Sequence, residues 1–329
     1  MLSIVIIAIS IALIFDFLNG MNDAANSIAT VVSTKVLPPL IAVLWAAFFN
    51  FIAMFFFGVH VATTIGKGIV DPIFVNEFIV LAALIGAVIW VYTCTHMGLP
   101  ISVSHALIGG LIGPALIVGG KSALFSAGIL KVSLFIVLSP LIGMVLGYLL
   151  MVLTMFIFRK RSPRKVDHLF RGLQLMSSAV FSLGHGTNDA QKTMGIIAIL
   201  LFSTGRLGPE FYVPIWVVVA SHSFIALGTL AGGWKVIKTL GHNLTTLKPV
   251  HGFSAEAAGA ITIIGSSLAG IPVSTTHTIT GSVMGVGITR RLTAVRWGIA
   301  GNIALAWVLT IPGTMAISAG AYWVISLFL

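Results

Sequence analysis

Acidic residues are nearly absent from this chain: eight Asp and Glu in 329 residues, beside eighteen Lys and Arg. Only 8% of the residues are charged and 58% are hydrophobic, and the mean hydropathy is +1.10. A soluble domain with so few charges would lack a dispersing surface. No hydrophilic stretch exceeds the length of a loop. There is no Walker-type glycine-rich loop, which argues against direct ATP coupling. The H-E-x-x-H spacing of zinc hydrolases is also missing. The single cysteine, Cys94, excludes an intrachain disulfide framework. What is there is a succession of apolar runs, about 18 residues or longer, from end to end. The composition indicates an all-α polytopic membrane protein of about ten to twelve membrane segments, multi-pass in the cell membrane.

The net charge of +10 does not point to nucleic acid. Basic residues concentrate at Arg159, Lys160, Arg161, Arg164 and Lys165, with a smaller group at Arg290, Arg291 and Arg296. No interleaved aromatics suited to base stacking accompany them. Short basic loops between apolar spans mark the cytoplasmic side instead. The first 18 residues lack a positive n-region and a small-residue cleavage site, so a retained first helix is expected.

Two motifs occur twice, in the same order. Asn19-Gly20-Met21-Asn22-Asp23-Ala24-Ala25-Asn26 is matched by His185-Gly186-Thr187-Asn188-Asp189-Ala190-Gln191-Lys192. Gly98-Leu99-Pro100-Ile101-Ser102-Val103-Ser104-His105 is matched by Gly270-Ile271-Pro272-Val273-Ser274-Thr275-Thr276-His277. Both pairs have nearly the same offset, which means an internal repeat. Equivalent flanking loops carry opposite charge bias: 66–77 holds two acids and one Lys, whereas 234–248 holds Lys235, Lys238 and Lys248 without an acid. By the positive-inside rule they face opposite sides, giving an inverted-topology repeat. The expected division is a first repeat at 1–158, a basic cytoplasmic loop at 159–171 and a second repeat at 172–329. Each half is expected to hold a broken Asn-Asp helix and a re-entrant helical hairpin. Residues 123–158 read as one broken helix or two.

A carboxylate inside an apolar segment is expensive and needs a compensating partner. Four of the eight acids lie so: Asp16, Asp23, Asp189 and Glu256. Asp23 and Asp189 are repeat-equivalent, flanked by Asn22, Asn26, Asn188 and glycine. Such hard oxygen donors suit Na⁺, and a desolvated carboxylate also carries protons. Glycine would allow helix breaks that free backbone carbonyls as further ligands. The plainer alternative is Asn-Asp capping at a kink. Asp16 has no acidic equivalent, since Ser182 stands in the second copy, and is a helix-end or gating candidate. Glu256 opens a helix of small residues and is either a coupling group or an interfacial one.

The Pro-Ser motifs have another chemistry. Half-helix N-termini offer free N–H groups, and Ser102, Ser104, Ser274, Thr275 and Thr276 add hydroxyls, together with the backbone at Val103; two such tips would cradle a tetrahedral oxyanion. Ordinary Ser/Thr capping is the rival reading. His105 and His277 are expected to bond the tip backbone rather than substrate. His185, beside the second Asn-Asp pair, is a proton-coupling candidate. Lys192 lies three residues past Asp189, on the same helix face, to neutralise it or to attract an anion.

These four motifs, G-x-N-D-x-x-N, H-G-x-N-D-A-Q-K, G-L-P-I-S-x-S-H and G-I-P-V-S-T-T-H, resemble the inorganic phosphate transporter (PiT) family, and nearly the whole chain is covered. The resemblance is to a compact prokaryotic-type member. It implies an inverted-repeat fold with a phosphate site between two re-entrant tips and the Asn-Asp helices, coupling to Na⁺ or H⁺, no organic cofactor, and a homodimer. Carried over, Asp23 and Asp189 are the coupling carboxylates and would be the metal ligands if Na⁺ is the ion. Glu256 matches an acid of sodium-coupled relatives; Gln191 and Lys192 join Ser102, Val103, Ser104, Ser274, Thr275 and Thr276 around phosphate. Two departures, Asn50 where those relatives carry an acid and the Gln-Lys ending of the second motif, favour H⁺ or a metal–phosphate complex. Sulfate is the alternative anion; a channel or an intramembrane enzyme is the alternative class.

Overall fold

With no water in a bilayer core, a spanning backbone must close its hydrogen bonds within helices or closed barrels. This chain takes the helical route throughout. The computed structural model describes residues 2–56 and 58–328. The first half runs α1 (Leu2–Ser33), α2 (Pro39–Ile52), α3 (His60–Gly68), α4 (Glu77–Met97), α5 (Val103–Gly119) and α6 (Ser126–Phe158). The second runs α7 (Pro163–Ser203), α8 (Ile215–Ala231), α9 (Trp234–Lys238), α10 (Pro249–Leu268), α11 (Thr275–Ile288) and α12 (Trp297–Ser326). Among the described residues, five helices (α1, α4, α5, α6 and α12) are long and apolar enough to cross a membrane, or seven spans if the bent pairs α2–α3 and α8–α9 each count once. Neither α7 nor α10 is in that set, because the motif residues in α7 and the small polar residues of α10 lower their hydropathy. The ten to twelve expected segments thus correspond to twelve helices, not all of them simple spans.

The repeat shows in reciprocal packing. The long α6 lies against the α10–α11 hairpin of the other half, and α12 lies against α4–α5. Thr64 on α3 donates to the Gly270 carbonyl at 2.8 Å, while Thr239, just past α9, donates to the Gly98 carbonyl at 3.0 Å. Each half therefore clamps the hairpin turn of the other. Two apolar cores reveal the inversion. One contains Val5–Leu18 of α1 together with Ala190–Leu201 of α7; the other contains Ala25–Val31 of α1 with Phe181 of α7. The motif helices run in opposite directions through the same two cores, and the Asn-Asp pairs lie at the crossing.

Three expectations change. Both Asn-Asp helices are continuous, so no backbone carbonyl is released at the motif. The glycines serve close approach instead: a Cβ on Gly186 would lie 2.6 Å from the Asn50 carbonyl oxygen, and one on Gly20 would strike the Ile225 carbonyl. The basic loop shrinks to Arg159–Ser162, because Pro163 at the first helical position starts α7 at once. At 41 residues α7 is about 60 Å long, twice the ~30 Å hydrocarbon thickness, so its basic first turns extend beyond the membrane. Finally, 126–158 is one helix, with Pro140 inside it.

Candidate functional site

The two hairpin tips are built alike. At the first, Gly98 (φ 76°) ends α4 in the left-handed region and Leu99 N–H returns to the Cys94 carbonyl at 2.9 Å. At the second, Gly270 (φ 63°) ends α10's turn and Ile271 N–H returns to Ser266 at 2.9 Å. This is the closure that only glycine makes cheaply. Ser102 and Ser274 then cap the new helices, their Oγ atoms accepting from the His105 and His277 N–H groups at 3.3 and 3.2 Å. Capping satisfies the third N–H of each helix. The N–H groups of Val103 and Ser104, and of Thr275 and Thr276, remain in the first turn for an incoming anion.

The tips meet. Ser104 Oγ lies 3.5 Å from the Val273 carbonyl, and the His105 and His277 rings pack edge to face at 4.8 Å. His277 bonds the Ile136 carbonyl of α6 and stacks on Trp307 of α12, whose indole donates to Pro100 at 3.0 Å. His277 thus fastens the second tip to the long helices and His105 packs on His277; neither side chain is seen to bond the tip backbone as expected.

Both aspartates reach the second tip. Thr275 Oγ1 lies 3.1 Å from Asp23 Oδ2 and 3.0 Å from Asp189 Oδ2, and Thr276 Oγ1 lies 3.2 Å from Asp23 Oδ1. Asn26 donates to Thr276 at 2.9 Å. Each aspartate is almost fully buried, at 2% and 1% exposure. His185 Nε2 stands 3.2 Å from Asp189 and 3.7 Å from Asp23. Its orientation is set by Asn50: Asn50 Nδ2 donates to Thr229, so Asn50 Oδ1 faces His185 Nδ1 at 3.1 Å as an acceptor. Nδ1 therefore carries the proton, and Nε2 points at the two carboxylates either as a second N–H or as a lone pair. Lys192 bonds Asp189 directly and the Val273 carbonyl at 3.0 Å. It neutralises Asp189 and pulls on the tip at once. Asp23, His185 and Asp189 offer ligand atoms within 4.8 Å of one another. The donor set, two carboxylates and an imidazole, fits a hard or borderline cation.

The outer asparagines have a different task. Asn22 Nδ2 donates to Thr95 of α4 at 2.7 Å, and Asn188 Nδ2 donates to Ser267 of α10 at 2.8 Å. The repeat offset relates both members of these pairs. Each ties its motif helix to the hairpin of its own half, while the Asn oxygens stay without a hydrogen bond inside the protein. Gln191 is drawn elsewhere: its oxygen accepts from Val61 and Ala62 N–H at the start of α3, leaving only its amide for another partner. Glu256 does not join the aspartates. It accepts from Thr30 at 2.6 Å, Gln174 at 2.9 Å and Ser177, a separate buried cluster farther along α1. Asp16 lies on the other side of the aspartates along α1, fully buried.

Sequence reasoning missed Thr95, Ser267 and Thr229 and gave Asn50 no part in holding His185. Thr95 and Ser267 precede the tip glycines by three residues, so extending the motif match leftward reveals them. Nothing local in the sequence marks Thr229. Beside the first tip, Met21, Thr95, His96, Gly232, Gly233, Trp234 and Lys235 line an opening of about 210 Å³.

A model of the phosphate transporter family matches residues 19–165 and again 158–318. The chain belongs to that family. A probable low-affinity inorganic phosphate transporter of Rhizobium meliloti is 56% identical over 96% of this chain and 94% of its own length. One of Bacillus subtilis is 41% identical over 99% and 98%. A solved structure described as the sodium-dependent phosphate transporter superposes with a TM-score of 0.92 at 29% identity, covering 99% of this chain and 100% of that one. The double match of the family model falls on the two halves of the fold. The transporter is a multi-pass membrane protein and not an enzyme, in keeping with its apolar helices.

Proposed function

We propose that the chain is a symporter that carries inorganic phosphate together with Na⁺ or H⁺. One observation supports it above the rest: the Thr275 and Thr276 hydroxyls, natural donors to a phosphate at the α11 N-terminus, are engaged by Asp23 and Asp189. Phosphate entering the tip meets two carboxylates holding the donors it needs. Two like-charged groups at that distance repel by several kcal/mol in a poorly screened interior. A cation taken up by the carboxylates removes the repulsion and releases the hydroxyls. Binding of one is thereby favourable only with the other, which is the requirement for coupling.

In this reading Asp23 and Asp189 hold the cation, aided by the free oxygens of Asn22, Asn26 and Asn188. Ser102, Val103, Ser104, Ser274, Thr275 and Thr276 cradle phosphate with backbone N–H and hydroxyl groups. Lys192 offsets part of the negative charge of the pair through its bond to Asp189, which reduces the number of mobile cations needed. Glu256, on α10 beside Thr30 of α1, is assigned to coupling at a distance. Phosphate is preferred to sulfate because the relatives named above are phosphate transporters.

A second reading has specific support. The Asp23–His185–Asp189 group is the donor set of a divalent-metal site, so the cargo in this version is a metal–phosphate complex. Uptake of labelled phosphate into proteoliposomes, with Na⁺, pH and divalent-metal gradients imposed one at a time, separates the versions. Coupled symport predicts accumulation under at least one gradient. Uptake indifferent to all three would refute it.

A further inference from the structure

Down one face of α1 runs a buried polar stripe: Asp16, Asn19, Asp23, Asn26 and Thr30. Steps of three and four residues keep these side chains in line, and from Asp16 to Thr30 the stripe is about 21 Å long. Its middle is the aspartate site. Its far end is Glu256, through Thr30. The near end is Asp16, two turns before Asp23 on the same face.

Asp16 is unlike the other buried acids. Its exposure is 0%, yet neither carboxylate oxygen has a hydrogen-bond partner. Asn19 and Thr193 of α7 lie within reach of it, but neither meets the geometry of a hydrogen bond, and Asn19 Oδ1 and Thr193 Oγ1 are themselves without partners. Both Asp16 oxygens thus lie beside Asn19 and Thr193 with their hydrogen-bonding capacity unmet within the protein. The charged groups that act on it are Asp189 and His185, both on α7. A buried carboxylate without a partner is costly, and a cation is what removes that cost. The repeat offset carries Asp16 to Ser182, Asn19 to His185 and Thr193 to Ser27, so the other half has no carboxylate at the equivalent place.

We propose that Asp16, Asn19 and Thr193 form a further site for a monovalent coupling cation, Na⁺ or a proton, one step along α1 from Asp23. This rests on the symport reading above and adds an ion to it. A carboxylate, a carboxamide oxygen and a hydroxyl supply hard ligands for Na⁺, and the carboxylate alone accepts a proton. The site lies outside the phosphate tips, so an ion there contributes driving force without touching the anion.

The test is steady-state phosphate accumulation by proteoliposomes under a tenfold gradient of one cation, in a Na⁺ arm at clamped pH and a Na⁺-free pH arm. The variants are Asp16→Asn and Asp16→Ser, the second copying the equivalent position. Loss of one coupled ion lowers the maximal accumulation ratio about tenfold in the arm of the ion that uses the site, since a ligand shifts an equilibrium only by its own free energy. Wild-type accumulation by either variant in both arms overturns the proposal. Should neither variant insert, Thr193→Val decides: the site predicts a roughly five- to thirtyfold rise in the cation concentration for half-activation, and a wild-type value overturns it. Wild-type protein that ignores both gradients would instead overturn the symport reading itself.

Discussion

Replacing Thr275 by Val tests whether the carboxylates and phosphate compete for one hydroxyl. Valine keeps the shape and removes only the O–H, which lies 3.1 Å from Asp23 and 3.0 Å from Asp189. A hydrogen bond to a charged group is worth about 1.5–3 kcal/mol, and one to a neutral group about 0.5–1.5. In the empty protein the variant loses the larger amount, because the acceptors are ionised. With the cation bound the carboxylates are neutralised and the smaller amount is lost. With phosphate added the loss is large again. The difference, about 1–1.5 kcal/mol, makes cation binding roughly five- to tenfold tighter and phosphate binding to the cation-loaded form weaker by a similar factor. Thr275→Ser keeps the hydroxyl and leaves both constants within about twofold. Calorimetric titration of phosphate at saturating cation, and of cation without phosphate, measures both. The opposite signs are the diagnostic. Two constants weakened together, or neither changed, would refute the competition.

Asp23→Asn and Asp189→Asn should each abolish uptake, but only Asp189→Asn should also lower thermal stability strongly, by about 3–5 kcal/mol, because it leaves Lys192 buried without its counter-charge; fluorescence-detected melting of the inserted protein checks this. Gly186→Ala places a methyl 2.6 Å from the Asn50 carbonyl oxygen and 2.8 Å from its Cα, so the α7–α2 contact must open, at about 1–3 kcal/mol, and His185 loses its registration on Asn50. Melting temperature and uptake should fall together. Asn188→Ala and Ser267→Ala break the same tether and should be non-additive, with about 1 kcal/mol of coupling in a double-mutant cycle; additive losses would mean the 2.8 Å bond carries no energy.

The fold was legible because the motifs recur. Asn22 against Asn188 and Pro100 against Pro272 indicated two equivalent halves, and loop charge indicated their inversion. What stayed hidden was how the halves interlock. Spans read off hydropathy do not tell that α6 covers the second hairpin, since any lipid-facing helix looks alike. The glycines were misjudged for a related reason: a glycine that breaks a helix and one that admits a neighbouring backbone look identical in sequence. Burial against Asn50 and Ile225 decides for the second. In the site, Asp23, Asp189 and the Ser/Thr tips were visible as residue types, and so was the Lys192–Asp189 pairing, from i to i+3 spacing. The direction of Gln191 toward α3 was not visible, because its partners, Val61 and Ala62, offer only backbone. Glu256 was grouped with the aspartates on its apolar setting and on the family resemblance, whereas its neighbours Thr30, Gln174 and Ser177 hold it apart.

Coupling by shared donors is tested most directly by equilibrium linkage in the purified protein. Phosphate Kd is measured at vanishing and at saturating coupling cation, and cation Kd without and with phosphate. The account predicts that phosphate binds at least about tenfold tighter when the cation is saturating, and that phosphate tightens the cation by the same factor. A phosphate Kd that does not respond to any cation would contradict it.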